Sequence, residues 1–209
     1  MQHFGDIMFT DAVKAEQVRR GSREGYAAMT ARPAPDGLGE REAAFIAARD
    51  SFYMASVTET GWPYVQHRGG PAGFLRPLDR TTLAMADYRG NRQYVSTGNL
   101  KRDNRVALFL MDYPNRARLK ILARADVVEA ADDPDRAAHL GGDGAGRVER
   151  LFTFRVEAFD WNCPQFITPR FTEDEVRAAL APHMEKLAAA EAENRALRQR
   201  IAELEGRGA

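Results

Sequence analysis

Residues 64–75 combine a basic side chain with several glycines. His67 and Arg68 end a run with strand-like alternation, and Gly69 and Gly70 follow directly. Glycines let a ligand approach the backbone, and an arginine can pair with an anion. The pattern indicates one edge of a site for a flat anionic cofactor. A hairpin turn with an exposed arginine and a structural His67 explains the same residues.

A second candidate lies at residues 87–94, where a strand passes into a helix. Asn91, Arg92 and Gln93 stand at the start of that helix. A helix N-terminus offers free backbone N–H donors and a partial positive charge, and arginine can grip a phosphate through two parallel hydrogen bonds. Arg92 is therefore a candidate phosphate ligand. The alternative is an ordinary helix cap with solvated arginines.

The third candidate is a basic strand. Alternation places Arg116, Arg118 and Lys120 on one face, and Leu119 and Ile121 on the other. Three like charges on one face repel each other, so an anion bound there would be stabilising. An exposed basic strand that discourages edge-to-edge aggregation fits equally well.

The remaining candidates are single residues. Trp161 could stack on a planar ligand, although an aromatic residue that ends a strand commonly closes the core. Cys163 is the only cysteine, so an internal disulfide is excluded. A lone cysteine next to a proline is more often a small packed side chain than a reactive thiol. The histidines have no ligand-like spacing, so no metal site is expected.

Composition limits the classes of function. The 209 residues hold 30 Lys plus Arg and 30 Asp plus Glu, so no net positive charge favours nucleic acid or an anionic membrane. The longest apolar run, residues 106–111, is far shorter than the ~20 residues that span a bilayer. Asp6 and Asp11 interrupt any signal peptide. We expect a cytoplasmic protein in a reducing compartment.

The elements that position these residues form three parts. Residues 10–49 predict two helices joined by a turn, and the next part predicts six strands at 51–58, 63–68, 82–86, 105–112, 118–129 and 151–162. Short turns favour an antiparallel barrel, because parallel pairing needs a crossover at nearly every step. Helical segments at 91–102 and 133–140 interrupt the strands. The predicted class is mainly β with flanking helices (α+β).

The C-terminal part, residues 172–209, predicts a separate helical tail after a barrel domain of residues 1–171. Thr172 and Glu175 have the spacing of a capping box, and Pro182 is expected to end one short helix and open another. Apolar residues then recur every seven positions in each of two seams. The second seam lies three residues after the first, which contains Asn194. The tail predicts a short coiled coil, or an amphipathic helix that packs on its own barrel.

Four stretches, "QHRGGPAGFL", "DYRGNRQYVSTGNL", "NRVALFLMDYPNRARLKI" and "DWNCPQFITPRF", resemble the pyridoxamine 5'-phosphate oxidase-like flavin-binding family in this order. The resemblance covers residues 47–170 and implies a six-stranded antiparallel split barrel that forms a homodimer around two FMN molecules. The vitamin-forming oxidases of that family have a C-terminal substrate-binding segment with Arg and His near the end of the barrel, and this sequence shows no match to it. Oxidation of pyridoxamine phosphate itself is therefore not expected.

The resemblance also implies roles for individual residues. Arg68, Gly69 and Gly70 would lie beside the flavin ring and phosphate, with His67 within the same motif. Asn91, Arg92 and Gln93 match the family's phosphate-binding triplet, with glutamine in place of the usual lysine. The other implied cofactor contacts are Arg118, near a family glutamine, Lys120 on the same face, and Trp161 and Gln165 from the partner subunit.

The resulting hypothesis is an FMN-dependent oxidoreductase acting on an unknown small molecule, with NAD(P)H as one candidate reductant and no catalytic side chain assigned. A non-catalytic flavin-binding sensor or carrier, whose tail recruits a partner, is the alternative. A third possibility keeps the barrel and replaces FMN with haem or a deazaflavin, and the arginine-rich segment favours FMN over haem.

Overall fold

The computed structural model describes residues 1–141, 146–161 and 164–206. The chain divides into two compact units, Met1–Ile167 and Thr168–Ala209. The predicted boundary at residue 171 stays a prediction.

The first 50 residues, all described, form four helices: α1 (Phe4–Met8), α2 (Asp11–Arg19), α3 (Arg23–Thr30) and α4 (Glu40–Ala47). Three of them lie within residues 10–49, where two were expected. The additional breaks have local causes. The Thr10 hydroxyl caps α2 by accepting a hydrogen bond from the backbone N–H of Val13. Gly21 then adopts a φ of 73°, a left-handed conformation that favours glycine and ends the helix.

One antiparallel sheet follows, in the strand order β2-β1-β5-β6-β7-β4-β3. The described residues form seven strands rather than the predicted six, because residues 76 and 77 pair with β4. A two-residue strand that ends in proline has no alternation that a sequence pattern could reveal. The strands are β1 (Ser51–Val57), β2 (Pro63–Gly69), β3 (Arg76–Pro77), β4 (Thr82–Tyr88), β5 (Arg105–Asp112), β6 (Ala117–Glu129) and β7 (Val148–Trp161).

The sheet bends so that its two ends approach each other. Arg68 on β2 and Asp87 on β4 form an ion pair at 2.7 Å, although these strands stand near opposite ends of the strand order. Across the interior, the rings of Phe52 on β1 and Phe154 on β7 lie 6.4 Å apart, edge to face. The enclosed side chains form the main core, and the predicted antiparallel split-barrel class is confirmed.

Helices cover other faces of the barrel. α5 (Val95–Arg102) follows β4. Asp133 caps the N-terminus of α6 (Pro134–Leu140), because its side chain accepts a hydrogen bond from the backbone N–H of Arg136. Leu140 on α6 packs in a second small core against the face of β4 and β7 that points away from the barrel interior. Both helices lie in the segments that the sequence predicted to be helical.

The second unit consists mainly of one helix, α7 (Glu173–Gly206). The capping box is confirmed, since Thr172 and Glu175 exchange hydrogen bonds between side chain and backbone. The expected break at Pro182 was wrong, because α7 runs through it. The proline removes one backbone hydrogen bond, and an exposed helix can leave the freed carbonyl to water. None of the described residues of α7 is buried.

Candidate functional site

A network of three charged side chains closes one end of the barrel. Asp87 is 8% exposed and lies between two arginines. Its Oδ1 accepts a hydrogen bond from Nη1 of Arg68 at 2.7 Å, and its Oδ2 accepts from Nε and Nη2 of Arg150 at 3.0 and 2.7 Å. These residues belong to three strands, β2, β4 and β7, so the barrel closure itself brings them together.

The two arginines of this network differ in their electrostatics, although their side chains are equally buried. Burial lowers the pKa of Arg68, and the charge of Asp87 offsets this only in part. Burial also opposes the charge of Arg150, but its hydrogen bonds to Asp87 and the charge of Glu149 raise its pKa above the ordinary value. The guanidinium of Arg68 lies over the Phe152 ring at 4.9 Å, and among the described residues no acceptor reaches its Nε. Arg68 thus holds a hydrogen-bond donor that the part of the chain described by the structure does not use.

The loop between β4 and α5 is strained. Arg92 and Tyr94 adopt φ values of 62° and 56°, which are uncommon for residues other than glycine. The Oδ1 of Asn91 accepts a hydrogen bond from the backbone N–H of Gln93 at 3.2 Å. Arg92 itself is exposed, and a hydrogen bond to the Tyr94 hydroxyl raises its pKa. Such strain in a loop is common where backbone and side chains surround a ligand.

The N-terminus of α5 lies beside this loop and is anchored to the barrel. Tyr94 occupies the cap position, and no side chain of the described residues caps the helix there. The hydroxyl of the buried Ser96 donates to Oε1 of Gln66 on β2 at 2.7 Å, and Asn99 donates to the buried Ser56 on β1 at 2.9 Å. The free N–H groups of the first helical turn are therefore held in a fixed place.

These elements surround a cavity of about 280 Å³, which we call the barrel-end cavity. Three arginines and one aspartate line it, a surplus of two positive charges. Apart from Val95 and Gly90, the other lining residues are polar or aromatic. The full lining is Tyr64, Gln66, Arg68, Asp87, Tyr88, Gly90, Asn91, Arg92, Gln93, Tyr94, Val95, Ser96, Thr97 and Arg150. Its charge, its arginine donors and its helix N-terminus together favour a phosphate-sized anion.

A larger cavity of about 660 Å³ lies next to the barrel-end cavity and shares Tyr94, Thr97 and Arg150 with it. The guanidinium of Arg150 lies over the Tyr94 ring at 4.7 Å, so this pair separates the two spaces. Four basic and two acidic side chains line the larger cavity, so it has the same surplus of two positive charges as its neighbour. It differs in that Arg68, Arg92 and the strained loop residues 90–93 do not line it.

The other predicted site residues on strands lie mainly on the outer face of the sheet. His67, Tyr53, Phe109 and Lys120 stand side by side across β2, β1, β5 and β6, as the strand registers show. We call these four residues the outer row. The Lys120 ammonium forms an ion pair with Asp160 at 2.8 Å. His67 thus points to the opposite face from Arg68, and it packs edge to face against Tyr53.

Arg118 lies on the same outer face as Lys120, two residues earlier on β6. Its guanidinium lies 6.0 Å from the centre of the Phe109 ring, and among the described residues no acceptor reaches its Nε. The expected alternation of β6 is present, since Leu119 and Ile121 are fully buried. Arg116 precedes the strand and is exposed.

The glycines after Arg68 serve packing within the chain. A Cβ on Gly70 would lie 2.7 Å from the ring of Phe74, and a Cβ on Gly69 would lie 3.1 Å from the ring of His67. The backbone N–H of Gly70 donates to the carbonyl of Asp50. Neither glycine lines the barrel-end cavity.

Trp161 is occupied by its own chain. Its indole N–H donates to Oε1 of the buried Glu42 at 2.7 Å, and its ring packs edge to face against Phe45. The guanidinium of Arg41 lies 4.2 Å above that ring. Trp161 therefore closes the core beneath α4. Gln165 is exposed in a turn, and Cys163 lies outside the described residues.

Sequence reasoning therefore located part of the barrel-end cavity and missed the rest. Arg68, Asn91, Arg92 and Gln93 were predicted and line it. Asp87 stood inside the quoted motif but was not selected. Arg150 had a usable signal, because it alternates with Phe152 and Phe154 on an otherwise apolar strand face. Ser96 and Gln66 carried no signal that separates them from ordinary surface residues.

The described residues contain neither a metal-ligand cluster nor a membrane-spanning helix. Residues 1–141, 146–161 and 164–206 contain no group of three or more His, Cys, Asp or Glu side chains placed to hold a metal ion. Within the same residues, no helix has the length and apolar character needed to cross a membrane.

Comparison with solved structures gives distant similarities. HupZ of Group A Streptococcus is 12% identical with a TM-score of 0.49, over 64% of this chain and 99% of that chain. A Clostridium acetobutylicum protein of the pyridoxinephosphate oxidase family, related to general stress protein 26 of B. subtilis, is 14% identical with a TM-score of 0.46, over 65% and 94%. An FMN-binding protein of Syntrophomonas wolfei is 13% identical with a TM-score of 0.45, over 71% and 97%.

Comparison by sequence gives a clearer result. No curated protein shows significant sequence similarity to the chain. The sequence model of the pyridoxamine 5'-phosphate oxidase family, in contrast, matches residues 38–158. The match covers more than half of the chain and extends from Leu38 through most of β7. The chain therefore belongs to the pyridoxamine 5'-phosphate oxidase family.

Proposed function

We propose that this protein binds FMN and is an FMN-dependent oxidoreductase, with the FMN phosphate in the barrel-end cavity. The observation that carries the proposal is the positive surplus of that cavity beside the N-terminus of α5. A phosphate monoester carries about two negative charges at neutral pH, which would balance the surplus of two positive charges among the lining side chains. Arg68, Arg92 and Arg150 would hold the phosphate, together with the first backbone N–H groups of α5.

The residues around the cavity fit a bound phosphate. The buried Nε of Arg68 lacks an acceptor among the described residues, and a buried donor left unpaired costs about 1–3 kcal/mol. A phosphate next to this guanidinium would improve its electrostatic environment. The absence of a dinucleotide-binding glycine loop favours a mononucleotide.

The cavity is too small to enclose the whole cofactor. Its volume of about 280 Å³ lies below the range of ~300–1,000 Å³ that is usual for sites enclosing a complete small ligand. The flavin ring would therefore extend from the cavity onto the protein surface. A ring in that position needs a second covering surface to exclude water.

A second copy of the chain is the proposed source of that cover. Glu129 pairs with Arg150 across β6 and β7, whereas Lys120 lies nine residues earlier on the same strand. At about 3.3 Å per residue, Lys120 is roughly 30 Å from the barrel-end cavity of its own chain. In a two-fold homodimer, the outer row and Arg118 of the partner could approach the flavin. Arg118 would then supply its unused Nε donor.

The oxidoreductase activity rests on the cofactor. FMN supplies hydride-transfer chemistry when it is bound. The chain's own residues would bind the phosphate, orient the ring and limit access of water. No side chain around the barrel-end cavity is assigned as acid or base, and the substrate remains an unspecified small molecule.

The test of cofactor identity is the visible spectrum of the purified protein, followed by chromatography of what heat releases. We expect flavin absorption near ~450 nm and release of FMN. A haem or deazaflavin spectrum, release of FAD, or failure to bind added FMN would reject the proposal. Steady-state oxidation of NADH and NADPH by the yellow protein tests activity. Bound FMN without turnover on either reductant, or on alternative donors, would favour the non-catalytic carrier.

A further inference from the structure

The helix α7 carries an apolar stripe that the described residues of its own unit leave uncovered. Leu180, Leu187 and Ile201 lie on one line of seven-residue spacing, in which Asn194 takes the remaining position, and the three apolar side chains are about half exposed. Leu197 and Leu204 form a second line, three residues further on, with the same spacing. Numbered as a heptad abcdefg, the first line takes position a and the second takes position d. A continuous a/d stripe is the contact surface of a coiled coil.

The charged residues beside this stripe define which pairing is favourable. Position g holds Lys186, Glu193 and Arg200, and position e holds Glu191, Arg198 and Glu205. In a parallel pair of helices, each g residue faces the e residue five positions further along the partner. The three resulting contacts are Lys186 with Glu191, Glu193 with Arg198, and Arg200 with Glu205. Every one of them joins opposite charges.

The antiparallel orientation is unfavourable in each register that aligns these residues. With the whole seam overlapped, position g faces position g and sets Lys186 against Arg200 and Glu193 against its own copy, and such like-charged contacts are destabilising. A shift by one heptad sets Glu193 against Arg200 instead, but it shortens the overlap and places Asn194 opposite Leu197, which offers its amide no polar partner. The charges and Asn194 together therefore favour the parallel orientation, a preference that the apolar stripe alone does not provide.

Two further features support this pairing. Asn194 determines its register, and the charged side chains of α7 can exchange their contacts within the helix for contacts with a second helix. Asn194 lies at position a, where two facing asparagines can hydrogen-bond in one register of a two-stranded coil and would be unsatisfied in a shifted one. Arg200 contacts Glu203 of its own helix at 3.0 Å, but both side chains are about 60% exposed. Exposed pairs of this kind contribute little, so an interhelical partner can replace them.

We propose that α7 docks onto α7 of a second copy of this chain, as a parallel, in-register, two-stranded coiled coil. The charge pattern carries the proposal, and it does not depend on flavin binding or on the activity proposed above. The seam spans little more than three heptads and includes His183 and Ala190 at position d, so the coil is weak on its own. Pairing of the barrels would raise the effective concentration of the two tails.

The experiment uses the full chain and one introduced thiol. Cys163 is replaced by serine, and Ile201→Cys places a cysteine at position a, where parallel in-register helices bring two copies close enough for a disulfide. The control is Gln199→Cys, which lies at position f on the opposite side of the helix. We expect mild oxidation to crosslink the Ile201→Cys protein at least tenfold faster than the control. Equal rates, or no crosslink at position 201, would overturn the proposal.

Charge reversal tests the orientation directly. In the Ile201→Cys protein, Lys186→Glu with Arg200→Glu makes like-charged contacts with positions 191 and 205, and we expect about tenfold slower crosslinking. Glu191→Lys with Glu205→Lys should have the same effect. Co-expression of the two charge variants with different tags recreates opposite-charge contacts and should restore crosslinking between unlike chains.

The outcomes of this second experiment are also decisive. Preferential crosslinking of unlike chains in the co-expressed pair supports the parallel coil, and it shows that both variants fold. A mixture in which like and unlike chains crosslink equally would refute the charge-based pairing. Crosslinking of neither combination would mean that α7 has another occupant, such as the barrel of its own chain.

Discussion

Replacement of Asp87 by asparagine should destabilise the protein far more than an ordinary surface change. The carboxylate lies between the guanidinium groups of Arg68 and Arg150 and accepts three hydrogen bonds of 2.7–3.0 Å. Asparagine keeps the shape and one acceptor oxygen but removes the negative charge. Two buried, like-charged arginines then face each other, and the remaining carboxylate nearby is that of Glu149, 3.3 Å from Arg150.

The magnitude follows from the burial of the network. The side chains of Asp87, Arg68 and Arg150 are only 10–12% exposed, so solvent screens their charges weakly. Removing one partner of a buried ion pair costs about 3–5 kcal/mol. Because asparagine retains part of the hydrogen bonding, we expect a loss of about 3 kcal/mol in the free energy of unfolding. For a chain of this size, that loss corresponds to a decrease of roughly 6–12 °C in Tm.

The assay is urea unfolding followed by circular dichroism, with Asp36→Asn as the matched control. Asp36 also pairs with an arginine, Arg80, but both side chains are more than 60% exposed. An exposed pair contributes at most about 1 kcal/mol. If Asp87→Asn destabilises no more than Asp36→Asn does, the network does not act as a buried ion pair.

Added phosphate gives a second measurement on the same variant. An anion in the barrel-end cavity would replace the missing charge of Asp87. Sodium phosphate should therefore raise the Tm of Asp87→Asn more than it raises that of the wild type, relative to sodium chloride at equal ionic strength. An equal rise in both proteins would argue against an anion site beside these arginines.

Three further predictions concern other parts of the barrel. Arg92→Ala should weaken FMN binding by about 1.5–3 kcal/mol in a titration of the cofactor-free protein, and unchanged affinity would place the phosphate elsewhere. Trp161→Phe removes the donor to the buried Glu42 and should lower the free energy of unfolding by about 1–3 kcal/mol; a value near zero in urea unfolding would contradict this. Burial raises the pKa of Asp112, but hydrogen bonds from Asn115 outweigh it and leave that pKa lowered. The ionised Asp112 therefore stabilises the folded protein above the unfolded-state pKa of about 3.9, and this stabilisation is lost as pH falls through the lower folded-state pKa. Asp112→Asn should accordingly reduce the free energy of unfolding less below about pH 4 than it does at neutral pH.

The residue types along the chain were sufficient to predict most of the strands. Each strand that carries its own alternation or β-branched run was predicted to within a few residues, and so was the helix that Asp133 caps. These signals are local, because alternation and caps depend on residues close in sequence. The continuous helix through Pro182 could not be predicted locally, since exposure to water determines whether the proline breaks it.

The family, the barrel class and the grouping of residues around Arg92 in one cavity could be predicted from residue types and their spacing. The role of Asp87 in joining Arg68 to Arg150 could not, because these residues lie on three strands that meet where the barrel closes. The three-dimensional structure also shows that His67 and Arg68 point to opposite faces of the sheet, and that Lys120 lies far along its strand from the barrel-end cavity. Spacing along the chain specifies which residue types are near each other on one element, whereas curvature of the sheet decides which elements share a site.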